Sequence, residues 1–184
     1  GKLAIEPVEF ELDALLRDVL SITDVRAHEK GIEFRHSVAP EVPRVIEGDA
    51  VRIGQVLSNL CANAVKFTDR GRVTLSVAVA DQDADRVTLA FSVEDTGIGM
   101  SPEVKAKIFQ AFFTTKGEKG SGLGLSIAQG IVNKHGGKLT FDSEVGKGTT
   151  FYLTFPAANQ VREKRRGEIK EFAVSGNSKK ILVI

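Results

Sequence analysis

The apolar positions along this chain follow two periods. Leu12, Leu15, Leu16, Val19, Leu20 and Ile22 recur at helical spacing through residues 11–30, and Gly31 suits the left-handed residue that ends a helix. Ile53, Val56, Leu57, Leu60 and Ala64 form a second such stripe through 50–68. Ile127, Ala128, Ile131 and Val132 form a third through 125–135. Elsewhere the period drops to two, and residues 32–38, 72–80, 86–94, 138–143 and 149–155 read as strands. In 86–94, Val87, Leu89, Phe91 and Val93 share one face. Residues 1–10 look extended, with Pro7 opposing helix, and Pro40 and Pro43 bracket a loop before the short apolar pair Val45-Ile46. Ser101-Pro102-Glu103 is a good start for a short helix reaching Phe109, with serine as cap and proline in the first helical position.

Three places break the pattern. Asp95-Thr-Gly-Ile-Gly-Met100 ends the 86–94 strand with one carboxylate and then Gly97 and Gly99. A carboxylate held there accepts a hydrogen bond from a neutral donor such as an exocyclic amine, and the glycines let a ligand approach the backbone. The alternative is an ordinary acidic turn. Asn59, Asn63 and Lys66 fall beside the apolar stripe of the second helix, stacked by their spacing of four and three. Asparagine is a poor helix former, so two of them one turn apart suggest a site rather than a pair of solvent-facing amides. From 110 to 124 the periodicity fails, with Phe112, Phe113 and Lys116 leading into Gly117-Glu-Lys-Gly-Ser-Gly-Leu-Gly124. A glycine-rich loop feeding a helix N-terminus offers free N–H groups and the positive end of a dipole, which suits phosphate. A plain linker is the alternative, and the aromatics with Lys116 favour a lid ordered by ligand.

Composition narrows the class. At 184 residues, 42% hydrophobic and 27% charged, the chain reads as a soluble globular domain with a tail. A net charge of +1 gives no electrostatic argument for nucleic acid or a membrane surface. The single cysteine, Cys61, forms no internal disulfide and lies in a helical apolar pattern, so it belongs to the core. No apolar run approaches the roughly 18 residues of a membrane span, and no signal peptide opens the chain, so the expected location is cytoplasmic.

With these motifs in order, the chain resembles the catalytic ATP-binding domain of a sensor histidine kinase, in the gyrase, heat-shock chaperone, histidine kinase and mismatch-repair ATPase superfamily. The similarity runs from about Val8 to Pro156. Gln55-Val-Leu-Ser-Asn59-Leu-Cys-Ala-Asn63-Ala-Val-Lys66-Phe67 is similar to the N box, and Asp95 to Gly99 to the first glycine box. Ile108 to Phe113 resembles the phenylalanine box, Gly120-Ser-Gly-Leu-Gly124 the second glycine box, and Gly146-Lys-Gly-Thr149 the third. The resemblance implies ATP and Mg²⁺ as cofactors. Asp95 would accept the adenine amino group, and Thr149 would support the same edge, directly or through water. Asn63 would ligate magnesium through its side-chain oxygen, which suits an ion that takes hard oxygen ligands and keeps several waters. Asn59 and Lys66 would lie beside the phosphates, the amides of Gly122 and Gly124 would cradle them, and Lys116 would reach the γ-phosphate. Phe67, Gly97, Gly99, Gly120 and Leu123 complete the implied nucleotide contacts.

The resemblance also implies a fold, an α/β (α+β) two-layer sandwich. Its mixed, largely antiparallel sheet would have about five strands, with three helices on one face and a mobile ATP lid. Hydrolytic members of the superfamily carry a glutamate about where Asn59 stands, and an amide cannot take a proton from water at neutral pH. The expected activity is therefore donation of the γ-phosphoryl group to a histidine on a separate dimerisation segment. The alternatives are a hydrolytic ATPase of the same superfamily and a nucleotide-free interaction module. His28, His36 and His135 read as structural or surface residues, so the chain is expected to be a fragment of a longer kinase. Its partners would be the dimerisation helices that present the histidine, and a fused receiver domain or separate response regulator, with no nucleic acid and no membrane contact. The expected division is an ATP-binding domain over 1–158, a charged linker over 159–178, and residues 179–184 as either the start of a receiver domain or an apolar tail docking on the first.

Overall fold

The computed structural model describes residues 6–83, 86–115 and 121–158. The charged segment and the apolar tail, with the domain division that depends on them, lie outside the described residues. The elements run β1 (Val8–Glu11), α1 (Leu12–Lys30), β2 (Glu33–Val38), β3 (Val45–Gly48), α2 (Ala50–Phe67), β4 (Arg72–Gln82), β5 (Arg86–Asp95), α3 (Pro102–Lys105), α4 (Gly124–Lys134), β6 (Lys138–Glu144) and β7 (Gly148–Ala158).

The strands form one sheet in the order β1-β3-β7-β5-β4-β2, with β6 also on β7. One edge of β7 is long enough to serve two partners, β6 over 148–154 and β3 at Ala158. The β2–β4 pairing is parallel and the other pairings are antiparallel, which is the mixed, largely antiparallel sheet expected. It has seven strands where about five were expected. The two additional strands are β1 and β3, each of four residues, paired with Phe10 opposite Ile46. Segments this short show hardly one full alternation, so their period is invisible in sequence.

Alternation along the central strands produces one buried face. Val73, Leu75 and Val77 of β4, Leu89, Phe91 and Val93 of β5, and Phe151, Leu153 and Phe155 of β7 all point into it. Phe91 and Phe155 meet edge to face, with centroids 6.1 Å apart. The helices α1, α2 and α4 close this face, with α2 packed between the other two. The stripe expected for α2 is buried in full, joined by Cys61 and Val65. Cys61 is core, as expected, and burial pushes its thiol pKa up to about 12, against a smaller opposing effect from Thr23.

Helix ends follow local chemistry. Asp49 caps α2 by accepting the Arg52 N–H at 3.0 Å. Gly31 ends α1 at φ 73°, its N–H reaching the carbonyls of Ala27 and His28. In α1 the core takes Leu12, Leu16, Val19, Thr23 and Ala27, and Ile22, expected in the stripe, is 52% exposed. The helix starting at Pro102 stops at Lys105 instead of reaching Phe109. Lys107 and Gln110 then donate to carbonyls three residues back, so the α-helical ladder gives way to tight turns.

Candidate functional site

The ends of β5, β6 and β7 are aligned by register. Asp95, the last residue of β5, stands opposite Thr149, and Thr149 stands opposite Ser143 of β6. Because side chains repeat every second residue, all three face the helical layer rather than solvent. Asp95 and Thr149 close one end of a cleft of about 310 Å³, and Ser143 lies behind Thr149. From α2 come Asn59, Asn63, Lys66 and Phe67, and from the segment entering α4 come Ser121, Gly122 and Gly124. Met100, Val104, Ile108, Phe113, Leu125 and Phe151 make its apolar walls. This is a mostly apolar pocket with a few convergent polar groups, the form that suits a small ligand.

Asp95 and Thr149 are each 7% exposed. Burial raises the Asp95 carboxyl above its ordinary pKa, with a small further push from Glu94, while the N–H groups of Gly97 and Thr149 pull it down. The Gly97 N–H lies 2.9 Å from Asp95 Oδ1. Gly97 itself stands behind the wall of the cleft, where a Cβ would strike the Phe67 carbonyl. That contact, with the Ile98 N–H donated to Phe67 O, joins the loop after β5 to the end of α2. Gly99, at φ +66°, does line the cleft.

Across the cleft, Asn59 is half-buried, and its Nδ2 is a buried donor with no hydrogen-bond partner. Gly124 opens α4 directly against it, and a Cβ on Gly124 would lie 2.5 Å from Asn59 Oδ1. No side chain caps α4, so the N–H groups of its first turn remain available. Leu123 does not line the cleft, and its carbonyl instead accepts from Ser126 Oγ and the Ile127 N–H, each at 2.9 Å. Gly122 lies at φ +65°, and its carbonyl accepts the Phe112 N–H at 2.9 Å, tying the two ends of the glycine-rich loop. Lys66 is exposed, its Nζ 5.7 Å from the centre of the Phe67 ring. Lys116 and Gly120 lie outside the described residues.

Sequence reasoning missed Ser143. Its Oγ is 2.9 Å from Thr149 Oγ1 and from the Met100 amide nitrogen, and 3.1 Å from the Gly148 carbonyl oxygen. Lys105 Nζ donates to its main-chain oxygen. The signal was present, because Ser143 is the polar member of the inward set Leu139, Phe141, Ser143 on β6.

The family profile of Histidine kinase-, DNA gyrase B-, and HSP90-like ATPases matches residues 48–159, which hold α2, the ends of β5 and β7 and the start of α4. The chain belongs to this ATPase family. The ATPase domain is 34% identical over 171 residues to the sensor protein GacS of Pseudomonas syringae pv. syringae, an alignment covering 89% of this chain and 19% of that protein. The chain thus spans about a fifth of the length of this curated relative. Among solved structures it is similar to full-length ShkA in complex with AMPPNP, with a TM-score of 0.71 and 39% identity over 86% of this chain and 32% of that one. It is also similar to the nucleotide-free catalytic domain of the histidine kinase ThkA, with a TM-score of 0.65, 32% identity, and coverage of 82% and 97%. Among the described residues no helix is long and apolar enough to cross a membrane.

Proposed function

We propose that this ATPase-family domain holds Mg-ATP in the cleft and donates its γ-phosphoryl group to a histidine of a separate dimerisation segment, as the catalytic part of a two-component sensor histidine kinase. The observation that carries the reading is the pairing of a buried acceptor end, Asp95 with Thr149, with a donor end at Asn59 and the uncapped start of α4. Asp95 accepts from the exocyclic amine of the base. The ring lies between apolar walls that include Met100, Ile108 and Phe151. The buried Asn59 Nδ2–H is a donor in want of an anionic oxygen, and the phosphates supply one. The first-turn N–H groups of α4, with Gly122 and Gly124, support the same charge, and Lys66 stands at the rim.

The donor set also fits magnesium. Among the described residues no cluster of three or more histidine, cysteine or acidic side chains could hold a metal. One Asn63 amide oxygen would join phosphate and water oxygens around the ion, which neutralises charge developing on the transferred group. The protein's own part is positioning. None of His28, His36 or His135 lines the cleft, which fits an acceptor supplied from another segment, in the cytoplasm, with a receiver domain or response regulator downstream. Among the described residues no carboxylate lines the phosphate end, and the Asn59 amide cannot take a proton from water, so the bound nucleotide should not be hydrolysed at an appreciable rate.

Substitution Asp95→Ala tests the assignment. It should weaken binding of a non-hydrolysable ATP analogue at least about tenfold, the factor one charge-assisted hydrogen bond carries. Unchanged affinity would contradict the base assignment, and steady phosphate release by the unaltered chain would contradict the transferase reading.

A further inference from the structure

We propose that Ser143 determines which purine the cleft accepts, by fixing the hydroxyl proton of Thr149; the inference rests on the nucleotide reading above and specifies its base. Ser143 Oγ has three polar neighbours, the Met100 N–H at 2.9 Å, the Gly148 carbonyl oxygen at 3.1 Å and Thr149 Oγ1 at 2.9 Å. An amide N–H only donates, a carbonyl only accepts, and a hydroxyl carries one proton. Ser143 therefore accepts from Met100 and spends its proton on Gly148. All three contacts are made only when Thr149 is the donor in the third. The Thr149 proton is then turned toward Ser143, and Thr149 offers the cleft a lone pair. The Met100 N–H is likewise committed to Ser143 and is not available to a base.

Asp95 stands opposite Thr149 on the neighbouring strand, so two acceptors lie side by side at the closed end of the cleft. That pair suits a 6-aminopurine, whose exocyclic amine carries two N–H donors, one for each acceptor. A carboxylate alone would not exclude a 6-oxopurine, because it can accept from the ring N1–H of that base. The 6-oxo group would then need a donor next to the carboxylate, and Thr149 is the group in position to supply it. Ser143 has already taken that proton. Leaving a buried carbonyl against acceptors is what excludes the wrong base, in the way that a site built for one hydrogen-bond pattern rejects its inverse.

The test compares ADP with inosine diphosphate by calorimetry, in magnesium, on the unaltered chain and on Ser143→Ala. The unaltered chain should prefer ADP. In Ser143→Ala the Thr149 hydroxyl is free to turn, and the ADP-to-IDP affinity ratio should fall about tenfold or more. Ser143→Ala combined with Thr149→Val has no hydroxyl to donate and should recover most of the discrimination. If Ser143 merely props the loop, both nucleotides weaken together and the ratio stays constant, which overturns the proposal. A measurement on the unaltered chain does not depend on the variants folding. Purine riboside diphosphate, which lacks a 6-substituent, should bind more tightly than IDP, and equal or tighter binding of IDP also overturns it. Failure of the unaltered chain to bind ADP would instead overturn the nucleotide reading itself, and this inference with it.

Discussion

At the scale of single residues, the most telling feature is a charge placed where burial opposes it. Asp95 sits at the closed end of an apolar cleft with its pKa raised, chiefly by desolvation. A carboxyl whose folded pKa lies above its unfolded value favours the fold when protonated. That contribution is complete below the ordinary aspartate value and is lost as pH rises through the raised one. Substitution Asp95→Asn should therefore raise the thermal midpoint of the ligand-free domain at neutral pH, and the difference should vanish in acid; a pH series of melting curves checks this. Nucleotide affinity should run the other way. An amine donor favours the ionised carboxylate, so affinity should decline as pH falls into the range where Asp95 takes up its proton. On the proposed reading, binding and not stability would account for a carboxylate at this position.

Gly124 belongs to the same scale. A methyl group there would meet the Asn59 amide at the start of α4. Substitution Gly124→Ala should cost about 1–3 kcal/mol as an overpacked contact, and should also displace Asn59 from the cleft. Urea unfolding measures the first effect and nucleotide titration the second. Gly130, on the same helix with nothing within 4 Å of its added Cβ, serves as the control. There alanine should be stabilising, by up to about 1 kcal/mol.

At the scale of elements, the end of α2 is held by α1. Lys30 Nζ donates to the carbonyls of Val65 at 3.0 Å and Lys66 at 2.8 Å, and pairs with Asp69 at 3.1 Å. The carbonyls are terminal groups of α2 that have no partner within the helix, while Asp69 is largely exposed. The two kinds of contact differ in worth. Removing Lys30 with Lys30→Ala should cost about 1–2 kcal/mol, whereas Asp69→Ala should cost less than about 0.5 kcal/mol. Equal losses in urea unfolding would show that the ion pair, not the capping of α2, is what matters. Because α2 carries Asn63, Lys66 and Phe67 into the cleft, Lys30→Ala should also weaken nucleotide binding from outside it.

Elements differ in how much of them is legible in sequence. Long periodic segments such as α2 and β5 were readable because each repeats its inward face several times. β1 and β3 were not, since four residues carry too little alternation and their pairing is a long-range property. The turns after Lys105 were missed because a good helix start at Ser101-Pro102 carries no information about where the helix stops. In the cleft, Asp95, Asn59 and Asn63 stood out as polar residues in or beside apolar elements, and Thr149 came only through the resemblance to the third glycine box. Ser143 was overlooked for a different reason. Its polarity on the inward face of β6 was visible, but its importance comes from Thr149, Met100 and Gly148 converging on one oxygen, which the β6–β7 register and the loop after β5 bring about together.

At the scale of the whole molecule, one sheet and one layer of helices divide the work. On the proposed reading the sheet ends would hold the base through residues fixed by strand register, and α2 with the start of α4 would provide the polar end for phosphate. Phe112 and Gly122, on either side of the glycine-rich loop, are joined by a backbone hydrogen bond. On the same reading this arrangement holds a nucleotide with its terminal phosphate presented outward, and among the described residues no carboxylate besides Asp95 lines the cleft. The most direct test is calorimetric titration of a non-hydrolysable ATP analogue into this chain, with and without magnesium. The account predicts saturable, one-to-one binding that strengthens with magnesium and is lost in Asp95→Ala. Absence of binding in magnesium, or affinity indifferent to Asp95, would contradict it.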